Sequence, residues 1–123
     1  MIVGLGGGVG ASRFWRALLA ELNEPSALTV VVNTADGLWV HGLRVCPDLD
    51  TTLYAFSDRQ DLERGWGVQG ESWRAMDAVR ALGGDPWFNL GDLDLGPHLF
   101  RTGLLRDGVG LAEVTRRLAA GLG

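Results

Sequence analysis

Apolar residues in this chain fall into short blocks with two different rhythms. Met1 to Leu5 is a brief apolar run, and Leu28 to Asn33 (LTVVVN) is a continuous β-branched one. Unbroken runs of this kind predict buried strands of a parallel sheet. Between them, Ser12 to Leu22 repeats apolar residues at helical spacing, with Phe14, Leu18, Leu19 and Leu22 on the expected core side and Trp15 packing beside them. Strand, glycine loop, helix and strand make a βαβ unit with a right-handed crossover.

The rhythm is lost after Asn33. TADGLWVHGLRVCPDLDT is polar at intervals and poorly periodic, which predicts an ordered functional loop. A short helix is expected at Thr51 to Phe56, then helices at Glu71 to Leu82, Asp94 to Arg106 and Leu111 to Leu118. Pro97 fits its helix only in the first turn. The fold class is α/β: a Rossmann-like three-layer fold around a parallel sheet. Two strands cannot cover their own edges. Residues 1–123 are therefore expected to be the N-terminal part of one larger transferase domain, its C-terminal part absent. Free edges favour association into a homo-oligomer.

Composition narrows the chemistry. The 123 residues are 46% apolar, and no run approaches a membrane span. No basic segment precedes an apolar one, so no secretory signal is expected. A net charge of −4 leaves no electrostatic footprint for nucleic acid. All eleven basic residues are arginine, which excludes lysine Schiff bases and the lysine-dependent phosphate loop. The lone Cys46 makes neither an internal disulfide nor a zinc site and reads as a small buried hydrophobe, so the expected compartment is the cytoplasm.

Two stretches carry candidate chemistry. In GLGGGVGASRF, Gly7, Gly8 and Gly10 lie between a strand and a helix N-terminus, where backbone N–H groups and the helix dipole attract anions. Gly6 to Ala11 fits the G-x-G-x-x-G/A dinucleotide pattern, and Arg13 is placed to clamp a phosphate. In NTADGLWVHGLRVCPDLDT, Asp48 and Asp50 flank Leu49, so an extended segment would turn both carboxylates to one side. Such a pair opposite a phosphate site suits Mg²⁺. The alternative is that both acids belong to a turn and a helix cap. Asp36 lies near the end of the second strand, where open α/β sheets bind ligands.

Four blocks together resemble the 2-phospho-L-lactate transferase family of coenzyme F-420 biosynthesis, including its phosphoenolpyruvate transferases. They are GGVGASRF, VVNTADGLWVHGLRVCPDLDT, GWG with ESW, and WFNLGDLDLGPHLFRT. The resemblance implies transfer of a phospholactyl or enolpyruvyl-phosphate moiety from a GDP-linked donor to the deazaflavin 7,8-didemethyl-8-hydroxy-5-deazariboflavin, with release of GMP and a requirement for Mg²⁺. It implies donor phosphate on Gly7, Gly8 and Gly10. Asp50 matches the family's acceptor-associated aspartate, with Asp48 as partner in catalysis and in holding metal. Asn33, Asp36, Asn89, Asp92 and Asp94 would shape the substrate cleft. Arg44 and Arg101 are possible diphosphate partners. Trp39, Trp66, Trp73 and Trp87 are available to stack on the deazaflavin, core packing being the simpler use for most. His41 and His98 read as hydrogen-bonded structural histidines.

Departures from the family pattern are Gly37 for a second aspartate, Leu93 for an arginine and Ala11 for a glycine. With the short length, they make an inactive ligand-binding fragment the alternative reading. A gluconeogenesis-factor-like nucleotide-binding protein is another, disfavoured by Leu38 to Leu43. A generic NAD module lacks its acidic residue at Asn33. The transferase reading requires the glycine loop and the acids around residue 49 to line one cleft.

Overall fold

The computed structural model describes all residues from 1 to 123. In chain order the elements are β1 (Ile2–Leu5), α1 (Gly8–Glu21), β2 (Leu28–Val31), β3 (Leu38–Val40), β4 (Leu43–Val45), α2 (Pro47–Phe56), α3 (Arg74–Ala81), α4 (Leu95–Arg106) and α5 (Leu111–Leu122). Strands β1 and β2 pair in parallel with Ile2 opposite Leu28 and Leu5 opposite Val31, as the βαβ pattern requires.

The glycine loop is shorter than expected because α1 begins at Gly8 rather than Ser12. Three of its glycines thus belong to the cap and first turn. Gly4 explains how closely α1 lies on the sheet: a Cβ there would come within 2.5 Å of the Trp15 ring. Side chains alternate across a strand, so Ile2 and Gly4 face α1 while Val3 and Leu5 face away. With Val31, these last two are more than half exposed, leaving one face of the sheet bare. Phe14, expected in the core, is 59% exposed, whereas Trp15 is buried.

The region expected to be a long loop contains a β-hairpin. Strands β3 and β4 pair antiparallel through the two-residue turn His41-Gly42, both at positive φ (50° and 75°). This is the backbone twist that two-residue hairpins favour, with histidine in place of the usual asparagine or aspartate. Helix α2 starts at Pro47, four residues before the expected Thr51; its proline takes the first turn, where the missing N–H costs nothing. Pro97 likewise falls in the first turn of α4.

Val40, Val45, Met76 and Leu90 form one buried cluster that joins the hairpin to α3. Helix α1 packs on α2, and α4 lies between β4 and α5. The turn before α3 and the turn before α4 cap each other. Glu71 accepts hydrogen bonds from the backbone of Leu93 (2.7 Å) and Asp94 (3.1 Å). Asp92 accepts from Arg74 (3.0 Å), Ala75 (2.9 Å) and the Ser72 hydroxyl (2.7 Å). A Cβ on Gly91 would collide with Glu71, so only glycine fits between the two caps.

Candidate functional site

The N-terminus of α1 meets the N-terminus of α2 across a cleft of about 440 Å³. Gly8 and Val9 form one side; Pro47, Asp48, Asp50 and Thr51 form the floor. No side chain caps α1 and no acid occupies its first turn, so its first N–H groups are free for an anion. Asp48 lies directly against this turn: a Cβ on Gly7 would fall 2.5 Å from its Oδ2. The glycine loop and the acidic segment therefore line one cleft.

The two acids do not point the same way. Both sit in the first turn of α2 rather than in an extended segment. Residues two apart on a helix are separated by roughly 200° around its axis. Asp48 faces the glycine turn, where Asn33 donates a side-chain hydrogen bond to its Oδ2. Asp36 Oδ2 accepts from the Asp48 backbone N–H at 2.8 Å, so Asp36 caps α2. Its other oxygen, Oδ1, is buried with no partner.

Asp50 turns inward and is only 4% exposed. The Arg101 guanidinium forks onto both its oxygens, and Arg101 is itself fully enclosed. Arg101 also donates to the Arg44 carbonyl at 3.2 Å. It is therefore a structural cation, not the diphosphate partner considered from sequence. Burial pushes the Asp50 carboxyl above its ordinary value, against the pull of Arg101.

The same network runs on to the cleft wall. His98 Nδ1 lies 3.2 Å from Arg101 Nη1, and His98 Nε2 lies 3.2 Å from Asp94 Oδ2. With hydrogen on Nε2, His98 accepts from Arg101 at Nδ1 and turns its N–H toward Asp94, a close polar contact without the alignment of a hydrogen bond. The Tyr54 hydroxyl donates to Asp94 Oδ1. Burial alone would raise Asp94, but the neighbouring His98 and the Tyr54 hydroxyl hold it below its ordinary value. Burial and the neighbouring Asp94 charge push the Tyr54 phenol far up, so Tyr54 stays a neutral donor. Asp94, His98 and Arg101 recur at i, i+4 and i+7 of one helix face, a spacing visible in the sequence. Tyr54 had no such signal.

Other sequence candidates are distributed unevenly. Asn89 lines the cleft, and its side-chain oxygen accepts a hydrogen bond at 3.0 Å from Arg80 of α3, a residue that the sequence reading did not single out and that does not itself line the cleft. Gly10 points to open space on α1. Arg13 lies over Gly65 rather than in the cleft. Asp92 is occupied in capping α3, and backbone hydrogen bonds from Ala75, with others, lower its pKa. His41 Nε2 lies 3.2 Å from the Phe88 carbonyl, the structural histidine expected. Cys46 is buried, and that burial pushes its thiol up, as expected of a small hydrophobe.

Mg²⁺ is implied by the resemblance, and the residues present fit it at Asp48. An anion on the α1 turn would face the Asp48 carboxylate, and a divalent cation between them would relieve their repulsion. The orphaned Asp36 Oδ1 is a further hard oxygen on the same cap. Asp50, Asp94 and His98 also converge closely enough to ligate an ion. Arg101 already supplies the cation there.

A helix N-terminus without a side-chain cap, with the Asp48 carboxylate set against it beneath a βαβ unit, gives an α/β protein whose first helical N–H groups suit an anion. The chain belongs to the family described as 2-phospho-L-lactate transferase CofD, whose model matches residues 2–123. It is 48% identical over 118 residues to the phosphoenolpyruvate transferase of Nocardia farcinica, covering 95% of this chain and 35% of that protein. It is 44% identical to the phosphoenolpyruvate transferase of Mycobacterium ulcerans (91% and 37%) and 42% identical to that of Mycobacterium tuberculosis (93% and 38%). The chain thus spans little more than a third of the length of these relatives. No helix is long and apolar enough to cross a membrane.

Proposed function

We propose that this chain supplies the diphosphate and acceptor side of a Mg²⁺-dependent transferase of coenzyme F-420 biosynthesis. Its donor is a GDP-linked phospholactate or enolpyruvyl phosphate, and its acceptor is 7,8-didemethyl-8-hydroxy-5-deazariboflavin. A ribityl hydroxyl oxygen forms a new bond to the phosphorus that carries the three-carbon acid. The bridging P–O bond breaks, GMP leaves with the electron pair, and the hydroxyl proton passes to solvent. Such a transfer depends on positioning and charge neutralisation rather than a covalent nucleophile, which suits a cleft without lysine or reactive cysteine.

In this reading the free N–H groups of Gly8 and its neighbours hold the diphosphate, with Gly7 admitting Asp48 beside it. Asp48 and Asp36 hold Mg²⁺, which when bound neutralises charge on the transferring phosphoryl group. Asp50 acts through Arg101 as a fixed ion pair that orients α2 and α4, and His98 and Tyr54 orient Asp94. The observation that supports this most is the approach of Asp48 to Gly7.

The test is calorimetric titration with GDP, with and without Mg²⁺. Binding should require Mg²⁺ and weaken roughly tenfold or more in Asp48→Asn, the scale of a lost charge-assisted contact. Stabilisation by NAD alone, with none by GDP, would overturn the reading. Mass spectrometry of a reaction with donor, acceptor and Mg²⁺ examines transfer itself. Leu93, where an arginine was expected, supports the second reading: retained GDP binding without product would mark a ligand-binding chain.

A further inference from the structure

The face of the β1–β2 sheet turned away from α1 is continuous and apolar. Val3 and Leu5 project from it on β1, at 53% and 76% exposure, with Thr29 and Val31 directly opposite them on β2. Val31 is 54% exposed, and Thr29 is exposed as well. Val3, Thr29 and Val31 are β-branched, the type that packs well on a pleated surface. Each strand has only one neighbour, so both outer edges carry backbone N–H and C=O groups that no strand pairs. Parallel sheets are ordinarily covered on both faces. Bare face and free edges here belong to the same two strands.

Area and length together say what covers them. A second copy packed face to face would bring four side chains from each partner. A stable interface buries about 800 Å² a side, from roughly 20–30 residues. Such a dimer would also leave the strand edges unpaired. A polypeptide that adds a strand to a free edge and lays an apolar helix across Val3, Leu5 and Val31 meets both needs. The relatives carry chain enough for this. The match covers 35% of the Nocardia farcinica phosphoenolpyruvate transferase and 37% of the Mycobacterium ulcerans one, so most of each lies outside it.

We infer that the Val3, Leu5, Thr29 and Val31 face, with the free edges of β1 and β2, is a docking surface for a further transferase-family segment. That segment is the counterpart of the part of these relatives that this chain does not match. It adds a strand beside β1 or β2 and seats a helix on the bare face. The surface is independent of the reaction proposed above, because docking needs neither GDP nor Mg²⁺.

The test co-expresses the 123-residue chain with a tagged polypeptide, the Nocardia farcinica protein outside the match, and reads what the tag retains by native mass spectrometry. A one-to-one complex is expected. Leu5→Glu and Val31→Glu should each weaken it about tenfold or more, since each carries an unpaired carboxylate into an apolar contact. Leu99→Glu, at another exposed leucine (59%) on α4, should leave it intact. Joining the two parts in one polypeptide removes the need for the second part to fold separately. There Leu5→Glu should lower the melting temperature, although it leaves that of the chain alone nearly unchanged. The β1 and β2 amides should exchange more slowly in the joined protein than in the chain alone. A complex, or a joined protein, indifferent to both glutamates overturns the surface. So does a homodimer of this chain that Leu5→Glu splits into monomers. Absence of any complex, with Leu5→Glu equally harmless in both contexts, overturns it too. A complex that forms without binding GDP sinks only the proposed function.

Discussion

Arg101 and Asp50 share a space that water barely enters. A buried pair of this kind contributes little over an apolar pair of the same shape, but breaking it strands a charge. Arg101→Met should therefore destabilise the fold by about 3–5 kcal/mol in urea denaturation. Arg101→Met combined with Asp50→Leu should recover much of that loss. Equal destabilisation of the single and double variants would refute the pairing. Gly7 makes a different prediction. Its φ of −152° is open to any residue, so Gly7→Ala adds no backbone strain and acts by displacing Asp48. The expected outcome is weaker Mg²⁺-dependent GDP binding at nearly unchanged melting temperature, with no added loss when Asp48→Asn is already present.

Two elements owe their starts to distant residues. Helix α3 is capped by Asp92, eighteen residues past its first residue, and the backbone entering α4 is held by Glu71. Asp92→Ala should fray α3, visible as faster amide exchange at Arg74 and Ala75 and as a lower melting temperature, because Met76 follows within the same turn. Helix α5 carries a pH-dependent support. Hydrogen bonds from Arg116 and Arg117 to Glu113 hold its carboxyl down at about 2, against an ordinary 4.5. The folded value is depressed, so this support is complete above the ordinary value and is lost as pH falls toward 2. Acid titration by circular dichroism should show Glu113→Gln removing part of the decline in α5 helicity over that window. An unchanged curve would rule the pairing out as a source of stability.

Across the whole molecule, the parallel pair β1–β2 is covered on one face and open on the other. Leu5 is 76% exposed there, whereas Leu90, in the hairpin cluster, is 1% exposed. Leu5→Glu should shift stability by no more than about 0.5 kcal/mol, as for other surface changes. Leu90→Ala should cost about 2–5 kcal/mol through transfer and cavity terms. A reversed order in urea denaturation would mean that the bare face is covered in solution.

The sequence by itself determined what depends on neighbours in the chain. Continuous β-branched runs, helical spacing and glycines at a helix mouth set the βαβ unit, the α/β class and the anion-ready turn, because each is a local backbone preference. That the acidic segment faces that turn was a requirement of the transferase reading, and the fold meets it. Tertiary structure alone decided which acid does what. Asp48 and Asp50 are two residues apart in either conformation; the early start of α2 sends one to the glycine turn and the other to Arg101. It also decided that Asp92 caps α3, that Arg80 reaches Asn89, and that Trp66 and Trp87 are exposed while Trp15 is buried. A side chain's partner across eighteen or fifty residues is set by how the elements pack. Local pattern holds no record of that distance.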